Sequence, residues 1–386
     1  MKPHHSDPIS TPAGLTRAEF IGTGAKGLGA LALLAAVPAT AAIAPTASAV
    51  GATATTAAEP VCDLRDFVRW ILAELEPSIR LPGGAGHYAR SPGQTTAELY
   101  GVADMACILY TLGELHPNEK ERDEWLAAFQ EFQNPDTGWL KEKDPTHDPL
   151  HNTAFALAAM QLLDLTPRYP VRMDAKYAHV RGFLETLDWR KNVYGDSHKG
   201  AGIGSIYALV PELGTPEWFT EYFAFCDSVI DPNNGLLGRE KPRGGDADQI
   251  GGSFHYHFLY THFNRPMPYP EQRIDAVLGL QQPDGYWHPT NHLWMTLDPI
   301  YLMTRSLRQS PHRFVDVQAS VRRIMRVLQR EVYSAKGRRK TISGKMAVHT
   351  LTAALSIAAE AQQFLGSHEV ITEKPLKLVL DRRPFI

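Results

Sequence analysis

A short turn signature recurs three times along this chain, each time after a segment with the periodicity of an amphipathic helix. Its copies are Gln133-Asn-Pro-Asp-Thr-Gly-Trp139, Asp231-Pro-Asn-Asn-Gly-Leu-Leu-Gly238 and Gln282-Pro-Asp-Gly-Tyr-Trp287. A chain that repeats helix, turn and helix is most simply a ring of helical hairpins, since each hairpin buries its apolar face against its neighbour. The signature therefore predicts an all-α fold and argues against an α/β enzyme.

Helical periodicity divides the chain into two alternating kinds of segment. Charged amphipathic segments suit helices with a wet outer face, whereas segments rich in Ala and Gly permit close helix contact and suit an inner layer. Six of each predict an (α/α)6 toroid of six helical hairpins. The predicted outer helices cover 61–77, 119–133, 174–188, 215–230, 268–282 and 313–333, and the inner helices cover 97–115, 149–164, 200–213, 252–264, 298–309 and 346–365.

Residues that start or stop helices mark the ends of the inner segments. Asp148 and Asp298 each precede a proline, which is the preferred arrangement of an N-cap and a first helical residue. Gly113, Gly214 and Gly366 fall where a left-handed C-cap favours glycine. The inner helices should then start at one rim, and the long loops before them make that rim the predicted site.

The first 49 residues have the pattern of an export signal. Thr16-Arg-Ala-Glu-Phe-Ile21 precedes an apolar run rich in Gly and Ala, and Ala47-Ser-Ala49 offers small residues for cleavage. The motif is similar to the twin-arginine export motif, but Ala18 stands where the second arginine belongs, so the Tat and Sec routes both stay open. We predict a signal over 1–49, a flexible linker over 50–60, a toroid domain over 61–386 and a secreted or periplasmic protein.

The overall charge excludes one class of partner. The 386 residues carry 39 basic and 42 acidic side chains, a formal net charge of −3, which leaves no basic footprint for nucleic acid. Three scattered cysteines suit neither a disulfide framework nor a zinc cluster. His288 and His292 have zinc-ligand spacing, but Pro289 between them favours an irregular loop. We therefore predict no metal, no cofactor, no nucleic-acid partner and no stable membrane span in the mature protein.

Two of the turns resemble the repeats of known families. Leu280-Gln-Gln-Pro-Asp-Gly-Tyr-Trp287 resembles the Gln-Trp repeat of squalene and other terpenoid cyclases, and Asn234-Gly-Leu-Leu-Gly-Arg-Glu-Lys-Pro242 resembles the glycine-rich repeat of protein prenyltransferase β subunits. The resemblance implies the toroid that these families share. It does not imply their activities, because Asp246-Ala-Asp-Gln249 lacks both the cysteine of the prenyltransferase zinc pair and the last aspartate of the cyclase acid motif.

A third segment is similar to a run of residues in some toroidal polysaccharide lyases. It is Gly252-Ser-Phe-His-Tyr-His-Phe-Leu-Tyr260, and its histidines offer a general base because imidazole titrates near neutral pH. On a helix His255 and His257 project about 200° apart, so only one of them faces the channel. We assign His255 as the base and Tyr256 or Tyr260 as the candidate proton donor.

Two aspartates complete the predicted catalytic set. Asp104 interrupts an apolar helix. Burial of a carboxylate there costs free energy unless the group is functional or forms a salt bridge. Arg305 is the candidate salt-bridge partner. Asp298 has apolar neighbours that favour a raised pKa suited to proton transfer, and an N-cap role is its alternative. If both line the channel, the distance between their carboxylates distinguishes retaining from inverting hydrolysis.

Histidines concentrate in the predicted rim loops and the first turns of the inner helices, and indoles occur at the same turns. Aromatic rings at such a mouth suit sugar binding, although packing between hairpins explains some of them equally well. The histidines concerned are His147, His151, His198, His255, His257, His288 and His292. The predicted substrate-binding residues are His151, His198, Asp246, Asp248, Trp287 and Trp294.

These features predict an exported toroid enzyme that acts on a polysaccharide or glycoconjugate by hydrolysis or β-elimination. A terpenoid cyclase-like enzyme is the first alternative, and a dry, closed cavity with an acid at its top would favour it. A non-catalytic binding toroid is the second, and carboxylates that are all neutralised by arginines would favour that.

Overall fold

The computed structural model describes residues 60–143, 146–238, 246–289, 293–341, 343–344 and 347–385. The chain divides into two units, Met1–Thr56 and Ala57–Ile386, and every described residue belongs to the second. The predicted export signal over 1–49, and all of the predicted linker except Pro60, lie outside the described residues. They stay predictions from the sequence.

Helices make up most of the described chain. A π-helical turn over Ile71–Leu75 joins the first two of them, and the short strands β1 (Cys62–Asp63) and β2 (Val370–Ile371) pair in parallel. The helices are α1 (Arg65–Trp70), α2 (Glu76–Ile79), α3 (Leu99–Leu112), α4 (Glu119–Gln130), α5 (Pro149–Gln161), α6 (Val180–Glu185), α7 (Val193–Leu209), α8 (Pro216–Ser228), α9 (Asp246–His262), α10 (Pro270–Leu280), α11 (Trp294–Leu307), α12 (Phe314–Glu331), α13 (Ala335–Thr341), α14 (Ala347–Leu365) and α15 (Val379–Arg382).

The prediction of an all-α fold is confirmed, and well-buried helices alternate along the chain with more exposed ones. The predicted inner segments correspond to α3, α5, α7, α9, α11 and α14, which are buried on nearly all sides. Their contacts follow a cyclic order: α3 packs on α5, α5 on α7, α7 on α9, α9 on α11, α11 on α14, and α14 on α3. The six-hairpin toroid requires a complete outer layer as well and stays a prediction.

Three inner helices begin earlier than predicted. The sequence analysis starts them at 200, 252 and 298, whereas α7, α9 and α11 begin at Val193, Asp246 and Trp294. Their first turns contain Gly, Asp, Ser and Pro, which have low helix propensity, but burial against neighbouring helices stabilises the helical backbone there. Asp298 is therefore not an N-cap: Leu293 holds that position, and Pro299 lies inside α11.

The other predicted helix ends have mixed outcomes. The Asp148 side chain does accept a hydrogen bond from the Leu150 backbone N–H, which confirms its N-cap role. Gly113 and Gly366 have the left-handed φ angles expected of C-caps. The prediction for Gly214 is wrong, because α7 ends at Leu209 and Gly214 has no positive φ.

Glycine allows α7 and α9 to approach each other closely. A Cβ added to Gly251 would lie 2.3 Å from the Tyr194 ring, and one added to Gly252 would lie 2.6 Å from a methyl of Val193. On α7, a Cβ added to Gly204 would lie 2.4 Å from Leu259. These separations are far below van der Waals contact, so larger residues would force the two helices apart.

The residues after β2 return to the inner helices. The Ser205 hydroxyl donates to the Pro384 carbonyl at 2.8 Å, and the Arg383 guanidinium lies over the Phe155 ring at 4.9 Å. Phe385 is fully buried with its ring centroid 4.9 Å from that of His151 and 6.0 Å from that of Phe258. The segment therefore packs against α5, α7 and α9.

Within the described residues, no helix combines the length and apolarity that a bilayer crossing requires.

The recurring turn yields a matched pair of substitutions. Gly235 and Gly285 lie three and two residues after the proline of their copies, and both have positive φ, which costs a residue with a Cβ about 1–2 kcal/mol. A Cβ at Gly235 would also meet the Tyr269 carbonyl at 2.4 Å, whereas the nearest atom to one at Gly285 is 3.5 Å away. Gly235→Ala should therefore lower the free energy of unfolding more than Gly285→Ala in urea denaturation. Equal losses would contradict this packing.

Candidate functional site

Five histidine rings meet among the inner helices. His147 precedes α5, and the other four lie on α5, α7, α9 and α14. The ring centroids of His147 and His151 are 4.6 Å apart, those of His151 and His198 are 4.8 Å apart, and those of His198 and His255 are 4.8 Å apart. His349 adds a fifth ring, 5.5 Å from that of His147. We call these five residues the histidine cluster.

Burial favours the neutral form of four of the cluster's imidazoles. His151 and His255 are 3% and 5% exposed, and burial together with the charge of neighbouring histidines holds the pKa of each well below its usual range. The same two causes lower the pKa of His198 to about 4, and burial lowers the pKa of His349. A neutral imidazole has a lone pair at one nitrogen, so it can accept a proton or bind a metal ion.

Hydrogen bonds determine which nitrogen carries that lone pair in His255 and His151. His255 Nδ1 lies 3.0 Å from the Gly251 carbonyl oxygen, which can only accept, so Nδ1 carries the proton. The Tyr100 hydroxyl donates to Asn152 and lies 2.6 Å from His151 Nδ1, so this nitrogen is the donor to Tyr100. In both rings Nε2 is left with the lone pair.

Asp104 is paired with the cluster and not with an arginine. His349 Nδ1 lies 3.1 Å from each carboxylate oxygen of Asp104, and Asp104 is fully buried. The predicted alternative of a salt bridge to Arg305 is wrong. The Arg305 guanidinium instead binds Glu360 at 2.6 Å and Asp381 at 2.8 Å. Asp104 thus fixes the orientation of the His349 ring.

Asp298 is a buried carboxyl group with no hydrogen-bond partner among the described residues. It is 1% exposed, and neither of its oxygens makes a hydrogen bond within the described structure. A Cβ added to Gly251 would lie 3.3 Å from Oδ2, so the carboxyl group faces the start of α9. Burial raises the pKa of Asp298 well above its usual range, so it favours the protonated form of the group. Asp104 and Asp298 are therefore not a hydrogen-bonded pair.

The tyrosine beside His255 is Tyr194 and not Tyr256. The Tyr194 ring lies 5.5 Å from that of His255 and 5.1 Å from that of His198. Tyr256 packs instead against Trp189, 5.3 Å between ring centroids, and its hydroxyl lies against Gly200. Tyr256 is next to His255 in the chain, so the turn of the helix directs it to a different face. The geometry therefore does not support the predicted role of Tyr256.

The predicted substrate-binding residues separate into two groups. His151, His198 and Trp294 lie at the cluster, and the Trp294 ring is 4.4 Å from that of His349. Asp248 accepts a hydrogen bond from the Val193 backbone N–H at the start of α7, and Trp287 donates to the Val277 carbonyl on α10. These two are structural contacts. The Asp246 side chain and His292 lie outside the described residues.

Sequence reasoning missed two members of the site, Tyr194 and His349. His349 is the third residue of α14, as His151 is the third residue of α5, so alignment of the inner helices by their starts would have found it. Tyr194 is the second residue of α7, but it falls between the predicted helices 174–188 and 200–213. His257, which the sequence analysis also placed at the rim, faces Tyr301 instead, with ring centroids 5.7 Å apart.

Comparison of the chain with protein families, curated proteins and solved structures gives no match.

Asp298 should make stability depend on pH. Its pKa is higher in the folded protein than in the unfolded chain, so the unfolded chain loses its proton first as pH rises above about 3.8, and folding becomes less favourable. Asp298→Asn removes this effect. Its stability relative to wild type should therefore increase between about pH 4 and pH 7, by at most about 1.4 kcal/mol per pH unit, in urea denaturation.

The control is Asp123→Asn, an exposed change on α4. Its stability relative to wild type should stay constant over the same pH range. An Asp298→Asn difference that does not change with pH would show that Asp298 titrates alike in the folded and unfolded chains.

Proposed function

We propose that this chain is an exported enzyme that acts on a polysaccharide or glycoconjugate by hydrolysis or β-elimination, with its centre at the histidine cluster and Asp298. The observation that carries the proposal is the contrast between Asp298, a carboxylic acid that keeps its proton, and the neutral imidazoles near it. Asp298 and His255 share Gly251 and Tyr194 as neighbours. Titratable groups whose pKa values are displaced in opposite directions are typical of acid–base catalysis.

The two groups divide the proton transfers of either reaction. Asp298 donates its proton to the glycosidic oxygen as the bond from that oxygen to carbon breaks. In hydrolysis His255 Nε2 takes a proton from the water that attacks the anomeric carbon. In β-elimination it takes the proton from the carbon next to a uronic carboxylate, and the electron pair left behind forms the double bond that expels the leaving oxygen. Both schemes return the proton to Asp298 in a later step.

The side of the cluster nearest to solvent supports a sugar substrate. His147, Tyr194, His198 and Trp294 are each partly exposed, whereas His151, His255 and Asp298 behind them are buried. Aromatic rings beside polar imidazoles suit the apolar face and the hydroxyls of a sugar. Export, which is a prediction from 1–49, would bring such an enzyme into contact with extracellular glycans.

One observation also favours a terpenoid cyclase-like reaction. A protonated carboxyl group among buried aromatic rings could protonate an isoprenoid double bond, and Asp298 has this environment. The neutral histidines have no evident part in that reaction, so we place it second. The binding toroid has less support, because Asp298 is not neutralised by an arginine in the described structure.

The test is turnover by the chain from Val50 onward on uronic-acid and neutral polysaccharides, with an isoprenoid substrate as a third arm. New reducing ends with ultraviolet absorbance indicate elimination, and reducing ends alone indicate hydrolysis. Asp298→Asn should lower kcat by about 10²- to 10⁴-fold, because it removes the general acid. Tyr256→Phe is the control and should keep wild-type activity, since its hydroxyl lies away from the cluster.

Either of two outcomes would overturn the proposal. One is full turnover by a folded Asp298→Asn protein, and the other is conversion of the isoprenoid with no action on any glycan.

A further inference from the structure

We propose that His151, His198 and His255 bind one divalent transition-metal ion, for which Zn²⁺ is the best match. Each of the three side chains offers one ring nitrogen, and the three nitrogens lie within 4.8 Å of one another. The ligands come from α5, α7 and α9, three neighbouring inner helices that pack in succession. A metal ion goes beyond the proposed reaction, which uses only proton transfers by Asp298 and His255.

The orientation of the three rings suits a shared ion. The ring planes of His151 and His198 are inclined at 69°, those of His198 and His255 at 82°, and those of His151 and His255 at 72°. Rings at such angles can direct one nitrogen each at a common point without stacking. His147, in contrast, stacks on His151 at 16°, so it packs against a ligand and is not counted as one.

The contacts behind two of the rings are those of metal-binding histidines. A ligating imidazole commonly donates its other N–H to a carbonyl, a carboxylate or another fixed acceptor, which holds the ring and its tautomer. His255 Nδ1 donates to the Gly251 carbonyl, and His151 Nδ1 donates to the Tyr100 hydroxyl. His198 makes no hydrogen bond within the described structure, so neither of its ring nitrogens is committed to another described group.

The chemistry of the donors selects the metal. Ca²⁺ and Mg²⁺ prefer oxygen ligands, whereas three imidazoles suit Zn²⁺ and its neighbours in the first transition row. Ligand nitrogens on tetrahedral Zn²⁺ are about 3.4 Å apart, so the rings must close by at most about 1.4 Å from their present separation. Three protein ligands leave a fourth position for water, the arrangement of catalytic rather than structural zinc.

A bound metal would change one role in the proposed reaction. His255 would become a ligand, and a metal-bound hydroxide would replace its activated water as the nucleophile, since Zn²⁺ lowers the pKa of bound water to about 7. Asp298 would still donate a proton to the leaving oxygen. This extension rests on the proposed function and favours hydrolysis over elimination, whereas the metal site itself does not depend on the substrate.

The experiment measures metal binding directly on the full, tag-free chain. The protein is stripped with a chelator, dialysed against Zn²⁺ or Co²⁺, and its metal content is measured by mass spectrometry. We expect one ion per chain, an absorption spectrum of tetrahedral Co²⁺, and a higher thermal unfolding midpoint with Zn²⁺. His198→Gln and His255→Gln should each weaken Zn²⁺ binding by more than about 100-fold, because even the loss of an outer contact costs 10- to 100-fold.

The matched control is His257→Gln, a buried histidine of the same helix that faces Tyr301. It should keep wild-type affinity and the Co²⁺ spectrum. Binding that is absent from the wild-type chain, or equal in His198→Gln and wild type, would overturn the metal site. If a variant does not fold, the wild-type chain still provides a test, because an octahedral Co²⁺ spectrum would overturn the metal site. Stoichiometric metal without action on glycans would instead count against the proposed function alone.

Discussion

The close contact between α7 and α9 is the constraint on which the rest of the centre depends. Gly251 and Gly252 accept the Tyr194 ring and the Val193 side chain where any Cβ would collide with them. Only at this separation do His198 on one helix and His255 on the other approach to 4.8 Å between ring centroids. These glycines lower the helix propensity of α9, but they also allow the imidazoles to come together. The helix is therefore less stable at the point where the histidine cluster forms.

Burial has opposite effects on the charge of the two kinds of group in this centre. It disfavours the charged form of each, so the imidazoles give up their protons while Asp298 retains one. The result is a centre in which uncharged groups supply both a proton donor and several lone pairs. A buried ion pair borders it, because Arg90 and Glu142 are 3.2 Å apart and Glu142 is 3.7 Å from His147 Nδ1. Arg305, Glu360 and Asp381 form a second ion-pair network elsewhere.

Periodicity predicted the helices well because it reports which face is buried, and this is a local property of the sequence. It placed His151, His198 and His255 at one rim, and the structure brings them together. The start of α7 and the position of Asp298 within α11 could not be predicted in this way. Both depend on contacts with other helices that override the turn-like residues Gly195, Asp196 and Pro299.

Roles of single side chains were predicted least well. Tyr256 is next to His255 in the sequence, whereas Tyr194 is next to it in space. Only the structure distinguishes the two. The partner of Asp104 was missed for a similar reason, because His349 is remote in the sequence. The export signal and the resemblance to terpenoid cyclases and prenyltransferases stay predictions.

The Asp104–His349 pair joins α3 to α14 across a separation of 245 residues. Contacts of such long range form late, since the chain must first lose the entropy of closing the intervening loop. The histidines of α5, α7 and α9 can approach one another within a growing chain, but His349 reaches Asp104 only after two further inner helices, α11 and α14, have been synthesised. A chain that extends only to the end of α9 thus contains four of the five histidines of the cluster but lacks the contact between α3 and α14. The centre is therefore completed only when α14 packs against α3.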